Sequence, residues 1–213
     1  LLVIRHGQIA FEQYYKHDYR EIYGEAARTP GPLVFQSLSG PYNYFHAFWH
    51  PYYKGGELHS MQSVTKSIVS AVVGIAIHRG DFPSLDTPVL SFFDANTVLN
   101  IDDAKRAMTL RDLLTMSAGL SWDEGMPYSD PRNTFTIMAR APDWVHYTLN
   151  QPMVSQPGTH FNYNSGASLI LGEIFLRATG IDIEVYAEQH LFQPMGIDNS
   201  AWKRTPLGLA DTQ

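Results

Sequence analysis

The sequence predicts an α/β part joined to an all-α part, and three observations carry that expectation. Residues 1–15 hold an apolar run and an alternating run that meet at a glycine. Residues 61–80 form one long, strongly apolar helical pattern, and beyond residue 81 only helical periodicities recur. The predicted division is therefore 1–80 for the front of the α/β part, including the long helix, and 81–213 for a mainly helical part. No internal repeat, low-complexity tract or linker between independent domains interrupts it.

The opening run Leu1-Leu2-Val3-Ile4 is continuously apolar, the next alternates through Ile9, Phe11 and Gln13, and His6-Gly7 suits the turn of a hairpin. Residues 16–59 read as a long loop broken by Pro30, Gly31, Pro32, Gly40, Pro41, Pro51, Gly55 and Gly56. Aromatic residues crowd its second half from Tyr42 to Tyr53, and packing is their more frequent use than lining a substrate site. His46 and His50 share helical spacing, but with no Glu between them and no third ligand nearby they are not read as a metal site.

Residues 61–80, MQSVTKSIVSAVVGIAIHRG, place Ile68, Val69, Val72, Val73, Ile75, Ala76 and Ile77 nearly all round a helix, which predicts burial at a domain centre, with Gly80 as the stop. Residues 81–89 are turn-rich. Over 109–119 a short amphipathic helix is expected, opened by a capping-box-like Thr109/Asp112 pair, buried through Leu110, Leu113 and Leu114, and closed by Gly119. A polar loop with Trp122, Asp123 and Glu124 follows, then helical residues 135–150 broken at Pro142. Asn164 or Ser165 caps a helix running to Gly180, a further helix covers 183–192, and the tail 202–213 shows no closing element.

Composition narrows the chemistry. With 213 residues, 44% hydrophobic and 13% aromatic, the chain can build one sizeable core or two small ones. A net charge of −6 without any Lys/Arg cluster argues against nucleic acid or an anionic membrane surface as partner. The absence of cysteine excludes thiol catalysis, thiolate metal sites and disulfides. No apolar run reaches membrane-spanning length, and the start on Leu1 rather than methionine leaves room for an upstream segment.

One local pair carries chemistry. Ser63 and Lys66 stand three apart, so on a helix they share a face and a hydroxyl nucleophile meets an amine able to take its proton. By itself the Ser-x-x-Lys pattern is weak, since about one copy is expected by chance in a chain of this size.

Further phrases strengthen it. LHSMQSVTKSIVSAVVGIAIHRGDFPSLDTPV, MTLRDLLTMSAGL followed by WDE, PGTHFNYNSGASLILGEI and LFQPMGI stand in this order after the hairpin. Together they resemble the serine β-lactamase and penicillin-binding-protein superfamily, in particular the class C β-lactamase-like branch with its esterases, D-alanyl carboxypeptidases and 6-aminohexanoate-dimer hydrolases. The resemblance covers most of the chain and implies a β-lactamase/transpeptidase-like fold, a periplasmic or secreted setting, and a serine hydrolase that needs no metal or cofactor. Its substrate would be a small-molecule ester, amide or peptide-like compound. By the same resemblance Ser63 is the acylated nucleophile, Lys66 its proton acceptor and Tyr163 the proton shuttle to the leaving group, with Asn164, Ser165 and Trp122 as substrate-binding residues.

Two departures shape the expectation. Tyr163-Asn164-Ser165 has serine where this branch carries the second Asn of Tyr-x-Asn, which tilts the reading from a dedicated β-lactamase towards an esterase-like member. The family's Lys-Thr-Gly-like third motif is not present within 213 residues, so the chain is expected to be the front of a larger domain, without the last strands and helix of the α/β part. A non-enzymatic penicillin-binding-like or partner-recognition module is the rival reading. A third is suggested by Arg5-His6-Gly7-Gln8, which resembles the phosphohistidine signature of histidine phosphatases and would place the chemistry on His6.

Overall fold

A computed structural model describes residues 1–14, 61–128 and 130–213. The expected loop 16–59, with its aromatic cluster and with His46 and His50, lies outside the described residues. The chain opens on an antiparallel hairpin, β1 (Leu2–Arg5) and β2 (Gln8–Glu12), with register Leu2↔Glu12 and Arg5↔Gln8 and an irregularity after Val3. Both turn residues are left-handed, His6 at φ 51° and Gly7 at φ 74°, as a two-residue hairpin turn requires. A strand follows Gly7, where the phosphohistidine reading needed a helical phosphate-binding segment.

The long helix α1 (Thr65–Arg79) is preceded by a 3₁₀ turn, Gln62–Val64, so Ser63 sits in the lead-in and Lys66 in the first α-turn. Gly80, left-handed at φ 78°, closes it as expected. Among the described residues the expected burial on all sides is found on one side only. Only Val69, Val72, Val73 and Ala76 are buried, while Ser70, Ala71 and Gly74 are exposed. Apolar composition set no preferred face, and among the described residues the helical part covers one side of α1 only.

The helical part holds α2 (Asp103–Ala107), α3 (Leu110–Leu114), α4 (Thr134–Met138), α5 (Trp144–Leu149), α6 (Ser165–Thr179) and α7 (Ile183–Ala187). Helix α6 is its axis: α1, α3, α4, α5 and α7 all pack against it. Thr109 and Asp112 close the capping box of α3, but that helix stops at Leu114, well before Gly119, because Met116 turns left-handed at φ 55°. Pro142 separates α4 from α5, whose new cap is Asp143. After α7 the chain continues as a π-turn, Glu188–Phe192, and a 3₁₀ turn, Gln193–Met195.

Stacked Phe82 and Phe175, 5.2 Å between centroids, join the turn after α1 to α6, and Tyr186 meets Phe175 edge-on at 5.1 Å. The fully buried Lys105 donates to the carbonyls of Leu99, Leu149 and Gln151 at 2.9, 2.7 and 2.8 Å, and burial lowers its pKa. A cation at the carbonyl end of α5 satisfies groups that a helix terminus leaves open. The tail, for which the sequence showed no closing element, folds back through an Arg204↔Ala210 bridge. Its Thr212 hydroxyl donates to the carbonyl of Ser168 on α6 at 2.7 Å.

Candidate active site

The candidate groups stand at the starts of two 15-residue helices. At the start of α1, Gln62 has φ 45°, a left-handed backbone that is uncommon for a residue with a side chain and recurs at functional turns. It stands immediately before Ser63, which is exposed, and Lys66 is half-buried one turn on. The Lys66 Nζ donates to Ser63 Oγ at 3.2 Å.

Tyr163 arrives from the other side, on the strand-like approach to α6. Residues 116–122 run beside 152–162: the amide of Ser121 donates to the carbonyl of Pro152, that of Val154 to Gly119, that of Gly158 to Ser117 and that of Asn162 to Met116, at 2.7 to 2.8 Å. Gly119 is obligatory in this pairing, since it is left-handed at φ 79° and a Cβ there would stand 2.4 Å from the carbonyl oxygen of Ser155. The Asn162 side chain donates to the carbonyl of Trp122 at 2.8 Å. Asn164 then caps α6, its Oδ1 accepting from the amide of Ala167 at 3.0 Å.

So mounted, the Tyr163 hydroxyl donates to Ser63 Oγ at 2.7 Å across 100 residues of sequence, and Lys66 Nζ lies 5.0 Å from the centre of the Tyr163 ring. The structure thus brings Ser63, Lys66 and Tyr163 onto one oxygen atom. Chemically, a hydroxyl with an amine and a phenol in direct contact can lose a proton to one side and pass one on from the other.

Asn164, Ser165 and Trp122 stand differently. All three are buried, and their polar groups are engaged within the protein: Asn164 in the cap, Ser165 and the Trp122 indole on Glu124. Glu124 is the residue that sequence reasoning passed over. It was visible only as part of the WDE phrase, since its partner Ser165 lies 41 residues away. Among the described residues, no group of three or more His, Asp or Glu is placed to hold a metal ion, and no helix is long and apolar enough to cross a membrane.

ML-236A carboxylate methylbutanoyltransferase mlcH from Penicillium citrinum is 30% identical over 120 residues, 55% of this chain and 28% of that protein. The chain therefore spans little more than a quarter of that relative's length. Among solved structures, the D-stereospecific amidohydrolase of a Streptomyces species aligns over 63% of this chain and 41% of its own, with a TM-score of 0.50 and 21% identity. EstCE1, a hydrolase with promiscuous acyltransferase activity, aligns over 64% and 37%, with a TM-score of 0.52 and 19% identity. These likenesses show a shared β-lactamase/transpeptidase-like fold. The Beta-lactamase family model matches residues 1–212, and the chain belongs to that family.

Proposed function

We propose that this chain carries the reactive centre of a serine enzyme that cleaves or transfers an acyl group through an acyl-enzyme on Ser63. The observation that carries the reading is the double contact on Ser63 Oγ, 3.2 Å from Lys66 Nζ and 2.7 Å from Tyr163 Oη. Ser63 Oγ attacks the carbonyl carbon of an ester or amide, and its proton passes to Lys66. Tyr163 hands a proton to the leaving alcohol or amine as its bond to the carbonyl breaks. Water or a second alcohol then attacks the acyl-enzyme and gives its proton to Tyr163, the bond to Ser63 Oγ breaks and Lys66 returns a proton to that oxygen, so that an acid or a new ester leaves. In this reading Asn164, Ser165 and Trp122 serve the substrate indirectly, by holding the turn that presents Tyr163.

The relative named a methylbutanoyltransferase supports acyl transfer beside hydrolysis, because both outcomes proceed from the same covalent intermediate. The decisive experiment is covalent labelling of the full polypeptide with a fluorophosphonate or a penicillin, followed by turnover of a p-nitrophenyl acyl ester. Labelling is expected on Ser63 and lost in Ser63→Ala. Label retained by Ser63→Ala would refute the assignment, and labelling without steady turnover would identify a binding protein instead.

A further inference from the structure

Glu124 lies in the loop before α4 and is half-buried, and four donors converge on its carboxylate. Oε1 accepts from the Ser165 hydroxyl at 2.8 Å and from the Tyr128 hydroxyl at 3.3 Å. Oε2 accepts from the Trp122 indole N–H at 2.8 Å and from the Ser165 amide at 3.0 Å. The Ser165 amide belongs to the first residue of α6, so the carboxylate also faces the positive end of a 15-residue helix.

The consequence concerns Tyr163, two residues earlier. Its ring is partly exposed and its hydroxyl reaches out to Ser63, so its aim depends on the backbone at either side. Before it, Asn162 is tied to Met116 and Trp122; after it, Ser165 is tied to Glu124, in the same stretch of chain. We infer that Glu124 is the positioning residue that holds the Tyr163 phenol on the Ser63 oxygen, an inference that rests on the proposed role of Tyr163.

Two substitutions separate reach from charge. Glu124→Gln keeps the length: its carbonyl accepts from the indole and the Ser165 amide, while its amide donates to the two hydroxyls, which can rotate to accept. Glu124→Asp keeps the charge but withdraws the acceptor by one methylene. A displacement of about 1 Å in a reacting group costs up to about 100-fold in rate.

The test measures kcat and KM for ester hydrolysis by the full polypeptide, with each Glu124 substitution made alone and together with Tyr163→Phe. Glu124→Asp is expected to lower kcat about 10- to 100-fold with KM within about threefold, while Glu124→Gln stays within about threefold of the parent. In the Tyr163→Phe background Glu124→Asp should add less than about twofold, because a residue acting through the phenol has nothing left to aim. Full activity in Glu124→Asp, equal losses in Gln and Asp, or additive losses with Tyr163→Phe would each overturn the inference. Should Tyr163→Phe alone leave kcat unchanged, the proton-shuttle role itself would fall, and the inference with it. That outcome is read from a protein with Glu124 intact, so the two failures stay distinct.

Discussion

Helices α1 and α6 have the same length and each begins two residues after a group of the candidate site, Ser63 and Tyr163, yet they hold those groups in opposite ways. Every residue of α6 from Ser165 through Gly172 is buried, and its start is fixed by the Asn164 cap and the Glu124 carboxylate. In α1 only four residues are buried, the N-terminus has no side-chain cap, and Ser63 stands exposed in the turn ahead of it. The phenol is thus mounted on a crowded, over-determined element, whereas the proposed nucleophile is offered from an open one. A nucleophile must be reachable by substrate, and a proton shuttle needs only to be aimed.

The largest expected effects fall on the two groups proposed to handle protons. Lys66→Ala and Tyr163→Phe should each slow acyl transfer about 100- to 10,000-fold, the usual contribution of a positioned acid or base, as read by single-turnover ester cleavage. If Lys66→Ala lost less than about tenfold, the amine would be a neighbour of Ser63 and not its partner.

Matched glycine substitutions then compare the helices directly. A Cβ on Gly166 of α6 would come 2.3 Å from Thr148 Oγ1 on α5, so Gly166→Ala should destabilise the chain by about 1–3 kcal/mol in urea denaturation. Asn164→Ala removes the cap of α6 and should cost about 1 kcal/mol in the same assay. Among the described residues nothing lies within 4 Å of a Cβ on Gly74 of α1, so Gly74→Ala should instead stabilise by about 0.5–1 kcal/mol through helix propensity. A loss of stability in Gly74→Ala would mean that the outer face of α1 is packed, and the contrast between the two helices would disappear.

Much of this was legible because it is local. The hairpin turn at His6-Gly7, the Thr109/Asp112 capping box, the break at Pro142 and the Asn164-to-Gly180 span of α6 each depend on residues a few positions apart. So does the Ser63–Lys66 contact, which follows from a single helical turn. Helix α2 escaped notice, since five residues are too short to show a period, although Asp102 caps it. The end of α3 was placed too late, because the left-handed turn of Met116 is stabilised by the amide of Asn162, a partner far along the chain.

Tyr163 marks the boundary between the two kinds of information. Its part in the site was read only from likeness to a family, for no spacing rule connects it to Ser63 across 100 residues. The four-donor seat of Glu124 and the one-sided burial of α1 are of the same kind. Turns, caps and helix periods arise from short-range sterics and hydrogen bonding, so the order of residues was enough to specify them. Which distant groups share an oxygen, and which face of an all-apolar helix is covered, depends on how those elements close against one another. Only packing decides that, because composition alone is indifferent among the faces.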